Sequence, residues 1–99
     1  MLARIKELLA EAFGERLHGV VLYGSQARGA AHGDSDIDVL VLLAEPVNLG
    51  KDLETIVHAL YPLQLALERP IHALPVSFTA FQAGTHGLYR NASREGVFL

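Results

Sequence analysis

The chain has 99 residues, no cysteine and a formal net charge of −3 at pH 7 without a basic cluster, which excludes a disulfide framework, a thiolate metal site and tight nucleic-acid binding by phosphate neutralisation. That length supports a single domain over residues 1–99 that buries about two thirds of its unfolded surface, and a homo-oligomer or a partner would add to so small a core. Arg4, Lys6, Glu7 and Glu11 near the start argue against a signal peptide and no apolar run approaches membrane-spanning length, so a cytoplasmic address with no membrane contact is expected.

Leu2, Ile5, Leu8, Leu9, Ala12 and Phe13 recur at helical spacing and Gly14 follows as a C-terminal stop, which predicts a first amphipathic helix with a solvated charged face. His18 to Tyr23 reads as a buried strand. Gly24 ends it, and there a missing Cβ lets the backbone turn sharply and approach a ligand. Ser25 then offers a hydroxyl and an N-cap for a short helical segment, Gln26 to Arg28, whose free N–H groups can receive an anion. Arg28 is either a charge-assisted phosphate contact or only a solvated charge. Val39 to Leu43 is an unbroken apolar run of strand length with Asp36 and Asp38 at its entrance. The short, Gly- and Ala-rich connection favours an antiparallel return, which brings the end of the first strand beside the start of the second.

Glu45-Pro46, Asn48 and Gly50 form the next loop, after which Leu53, Ile56, Val57 and Leu60 trace a second helix that Pro62 is expected to end. Leu63, Leu65 and Leu67 alternate with Gln64, Ala66 and Glu68, and Arg69-Pro70 turns into a further strand from Ile71 to Phe78. Either a hairpin or a helical tail plus one strand satisfies that pattern. Thr79 to Arg94 is broken by Gly84 and Gly87, with room for one short helix near its end. These elements predict an α+β fold: a small mixed β-sheet of three to four strands with helices mainly on one face.

The chemistry concentrates in Gly24-Ser25, ten intervening residues, then Asp36-Ile37-Asp38. Side chains two apart on a strand point the same way, so the two carboxylates sit about 7 Å apart at their backbones while Ile37 faces the other side. If their charges approach to about 5 Å at an effective dielectric near 20, the repulsion is about 3 kcal/mol, which a shared proton or a divalent cation must relieve. Mg²⁺ suits such a pair, since it takes one or two carboxylates, several waters and the oxygens of a substrate phosphate. A glycine-serine corner beside the pair fits the same ligand, a metal-bound nucleotide.

Rival motifs fit less well. Gly24 to Gly29 has the glycine spacing of a P-loop, but Ala30 and Ala31 stand where its lysine and hydroxyl belong. A calcium loop beginning at Asp34 would place Glu45 at its twelfth position, yet Val39 stands where its sixth-position glycine is required. A flexible turn followed by solubilising acids is the plainest alternative. None of the five histidines shows the pair spacing of a zinc site, and Tyr23, at a strand end, reads as core.

The paired motif resembles the signature of the minimal nucleotidyltransferases, the smallest members of the polymerase-β-like nucleotidyltransferase superfamily. Arg28-Gly29, Asp34 to Asp38 and Arg94-Glu95-Gly96-Val97 are similar to segments usual in that family, though only the Gly24 to Asp38 pairing is specific. The resemblance implies that Gly24 and Ser25, with Arg28, bind a nucleoside triphosphate, ATP by expectation, and that Asp36 and Asp38 hold the metal, Mg²⁺. It implies transfer of a nucleotidyl group to a hydroxyl of a partner, with a HEPN-domain protein as the expected partner in a toxin–antitoxin pair. The fuller family pattern adds a third acid on a later strand, for a second metal and the acceptor proton. Glu68 is the first candidate for it; if Ile71 to Phe78 is the matching strand, the position falls on His72, a poor Mg²⁺ ligand. Asp52 and Glu54, in the first turn of a helix, are explained by the helix dipole. The doubtful third acid keeps open a catalytically silent nucleotide-binding or interaction module that regulates a partner by contact.

Overall fold

The computed structural model describes residues 2–23, 36–84 and 86–99. Helix α1 (Leu2–Phe13) turns Ile5, Leu9 and Phe13 inward, as its apolar spacing requires. Gly14 then takes a φ of 58°, a left-handed conformation suited to glycine, and a 3₁₀ turn over Gly14–Arg16 leads into the sheet. Among the described residues that sheet has four strands, β1 (Leu17–Tyr23), β2 (Ile37–Leu43), β3 (Ile71–Ser77) and β4 (Val97–Phe98), in the order β3-β2-β1-β4. β1 runs antiparallel to β2 and β4, and β2 runs parallel to β3. The expected antiparallel return between the first two strands is therefore present, and Val39, inside β2, rules out the calcium-loop reading.

Helix α2 (Leu49–Ala66) is the crossover that the parallel β2–β3 pair needs. With α1 it covers one face of the sheet, around Ile5, Leu9, Val20, Leu22, Val39, Val41, Ile56 and Leu60. The shorter helices α3 (Phe78–Ala83) and α4 (Gly87–Glu95) cover the other, around Val21, Leu40, Leu42, Val76, Phe81 and Ala92. The sheet is mixed, with its two long helices together on one face, as expected. The unbroken apolar run of β2 has its reason here, since β2 lies inside the sheet with core on both faces.

Three local features differ from expectation. Pro62 lies inside α2 and does not end it. An interior proline costs about 3 kcal/mol, and the chain that continues past it packs Leu63 and Leu67 against the core while Leu65 is 70% exposed; of the two readings open for this stretch, the structure takes the helical tail followed by one strand. β3 stops at Ser77, whose side chain caps α3 by accepting from the Ala80 N–H at 3.2 Å, so Thr79 to Arg94 holds most of two helices. Finally, Val97–Phe98 closes on β1. Gly96 permits it: a Cβ there would collide with the Ala92 carbonyl oxygen and stand 2.6 Å from Val21 Cγ1. Among the described residues no helix is long and apolar enough to cross a membrane.

Candidate functional site

The mixed sheet brings the last residue of β1 and the first residues of β2 and β3 to one end. Tyr23 pairs in register with Asp38, and Asp38 with His72. In-register neighbours on adjacent strands project to the same face, so these three side chains form one row across three strands. Asp36, two residues before Asp38, shares that side, and its Oδ2 stands 3.0 Å from His72 Nε2. Ile37, between the acids, is 1% exposed and belongs to the opposite core with α1 and α2. The two carboxylates therefore share one side of the sheet, the side of α3 and α4.

Backbone joints hold this end together. The Ile37 N–H donates to the Pro70 carbonyl at 2.8 Å. Gln64, near the end of α2, accepts from the Ile71 N–H at 2.8 Å and donates through Nε2 to the Arg69 carbonyl at 2.9 Å. One amide thereby fastens the helix to the first residue of β3, next to His72.

The electrostatics follow from graded exposure. The side chains of Asp36 and His72 are about half exposed, Asp38 less so. The Tyr23 phenol is pushed above its ordinary pKa, first by burial and then by the Asp38 charge on the neighbouring strand. A cleft of about 500 Å³ is lined chiefly by α2 and β3, with Leu53, Val57, Leu60, Tyr61 and Gln64 on its helix side, and it touches the row at Tyr23 and His72 while neither Asp36 nor Asp38 lines it.

Glu68 lies in the bend between α2 and β3, at the same end of the sheet, and is exposed; the side chain that reaches Asp36 is His72. Gly24, Ser25 and Arg28 lie outside the described residues. Gln64 carried no signal beyond its place before Arg69-Pro70, and its role is visible only once the helix is known to pass Pro62. Asp52 differs from its helix-dipole reading: it is 4% exposed and receives two hydrogen bonds from Arg16, each at 3.0 Å.

Among the described residues the chain is an α+β domain with a four-stranded mixed sheet and a carboxylate pair at the mouth of β2. The sequence profile of the nucleotidyltransferase domain family matches residues 2–98, and the chain belongs to that family and its enzyme class. Solved structures share the fold. A variant of the MntA-HpeT toxin–antitoxin is 24% identical with a TM-score of 0.63, the match covering 100% of this chain and 71% of that one. A toxin–antitoxin solved with AMP-PNP is 23% identical with a TM-score of 0.63, covering 97% and 69%. A candidate nucleotidyltransferase from Sulfolobus solfataricus is 20% identical with a TM-score of 0.62, covering 99% and 78%. No curated protein sequence matches the chain. The fold is shared with these solved structures.

Proposed function

We propose that the chain transfers AMP from ATP to a hydroxyl on a partner protein, and that this partner is a HEPN-domain protein for which the chain is the antitoxin. The observation that carries the proposal is the joint placement of Asp36, Asp38 and His72 on one side of the sheet, in a chain of nucleotidyltransferase family. The nucleotide and partner are supported by structural neighbours described as toxin–antitoxins, one with AMP-PNP.

The donor set fits one Mg²⁺ ion. Asp36 is half exposed and Asp38 faces the same side, so the pair can offer two carboxylates while phosphate oxygens and water complete the shell. Once bound, the ion neutralises charge developing on the triphosphate. In this reading Gly24 and Ser25 hold the phosphates, with Arg28 adding a charge-assisted contact. The acceptor hydroxyl attacks the α-phosphorus in line, an O–P bond forms, and the bond to the β-phosphate oxygen breaks as pyrophosphate leaves. The exposed carboxylate of Glu68 takes the hydroxyl proton; its support is its position at the same sheet end. The test is incubation with α-labelled ATP, Mg²⁺ and the product of the neighbouring gene. Label should enter the partner with wild type and not with Asp36→Ala, and absence of label with both rejects transfer.

A second reading is favoured by one observation, the imidazole where a third acid would complete the site. On that reading the chain binds nucleotide or partner without chemistry. Calorimetry showing ATP and Mg²⁺ binding that Asp36→Ala and Asp38→Ala abolish, together with no covalent label, would select it.

A further inference from the structure

We propose that His72 closes the second cation position of this site, so that the chain holds one divalent ion beside its nucleotide where a two-ion site would hold two. The inference rests on the nucleotide-transfer reading above. Two-ion phosphoryl-transfer sites place their cations about 3.5–4 Å apart to clamp the attacking and leaving oxygens, and a second ion needs anionic ligands beyond a pair already engaged with the first. The next strand over is the place to supply one, because β3 lies in register with β2 and sets a side chain directly opposite Asp38. That side chain is an imidazole.

Its geometry is unsuited to a second Mg²⁺. His72 Nε2 lies 3.0 Å from Asp36 Oδ2. In the free protein the ring nitrogen nearest the pair is thus taken up by a carboxylate contact rather than facing an open cation position. Imidazole nitrogen also ranks below carboxylate oxygen for a hard cation such as Mg²⁺. The contact still leaves Asp36 usable. Both side chains are about half exposed, and a pair of that kind contributes little, so one ion arriving with its nucleotide can draw the carboxylate away from the ring. His72 is thus a positioning residue for Asp36 in the free protein and a cap on the number of ions in the loaded one.

The experiment counts ions without requiring turnover. The protein is equilibrated with Mn²⁺ and an α,β-methylene analogue of ATP, retained metal is quantified after dialysis, and the electron paramagnetic resonance spectrum is recorded. Wild type and His72→Asn should each retain one Mn²⁺ with the spectrum of an isolated ion. His72→Asp, which restores a carboxylate on β3, should retain two with an exchange-coupled spectrum. A coupled pair in wild type overturns the inference and leaves the transfer reading standing, and a single ion in His72→Asp overturns the assignment to this residue. Retention of neither analogue nor metal by any of the three removes the nucleotide reading first and this inference with it.

Discussion

The two ends of the sheet use aspartate in opposite ways. At the start of β1, Arg16 holds Asp52 with two hydrogen bonds at 3.0 Å, reaches the Pro46 carbonyl at 2.9 Å, and leaves the remaining capacity of the carboxylate to the Asn48 N–H at 3.0 Å. Every oxygen of that acid is satisfied inside the protein. At the far end of β1, Asp36 and Asp38 share one side with a half-exposed imidazole for company. Asp52 is buried and matched; the pair is open and undermatched. Burial of a charge is tolerated where a partner neutralises it, whereas acids left together in the open repel one another, and this repulsion is what the proposed ion would relieve.

The contrast is broken most directly by removing charge at each end. Asp36→Asn or Asp38→Asn should lower nucleotidyl transfer by about 10⁴-fold, on the order of 5 kcal/mol of transition-state stabilisation. The urea midpoint should scarcely move, since substitutions at open positions fall within about 0.5 kcal/mol. A marked loss of stability without loss of transfer would mean that these acids belong to the scaffold. Arg16→Ala should do the reverse. It strands a carboxylate that is 4% exposed, but the Arg16 side chain is itself 39% exposed and water can enter its place, so the loss is about 1–3 kcal/mol. Transfer per folded molecule should stay at the wild-type level.

The same pair gives the comparison a pH dependence. Asp52 is held below the ordinary carboxylate range, chiefly by its hydrogen bonds from Arg16, with the Asn48 N–H and nearby positive charge assisting and burial opposing. A folded value below the unfolded one means that the stabilisation is fully present above the unfolded carboxylate value, about 3.9, and is lost as pH falls through the lowered folded value. The gap in urea midpoint between wild type and Arg16→Ala should therefore be widest near neutrality and shrink as pH drops below about 4. A gap independent of pH would show that Arg16 acts through packing rather than charge.

How much of this was legible in the sequence differs between the two ends. The strand mouth was readable because its cues are local: Asp36 and Asp38 are separated by one residue, the run Val39 to Leu43 announces a buried strand, and period-two geometry does the rest. His72 was reachable from the sequence as one of two candidates, and the register of β3 against β2 decides that it is the ring that meets Asp36. The Arg16–Asp52 pair was invisible because its members are 36 positions apart and Asp52 has an adequate local explanation at the start of α2. Pro62 misled for a related reason. A local stop signal was overridden by tertiary burial of Leu63 and Leu67, and a two-residue closing strand has too little pattern to be found before its partner is known.

The smallest expected effect tests the joint between scaffold and site. Gln64→Ala removes the acceptor of the Ile71 N–H and the donor to the Arg69 carbonyl, a loss of about 1–2 kcal/mol in stability if both groups remain partly shielded from water. Because Ile71 is the first residue of β3 and His72 the second, loosening this anchor should also disturb the row beside Asp38 and lower transfer by about tenfold, in line with the sensitivity of catalysis to small misplacements. Gln64→Glu separates the two bonds: it keeps an acceptor for Ile71 but sets a carboxylate against the Arg69 carbonyl, so stability should fall while β3 keeps its start. Transfer by Gln64→Glu that falls as far as in Gln64→Ala would assign the joint to the Arg69 carbonyl; transfer near wild type would assign it to the Ile71 N–H, the bond that carries the position of His72.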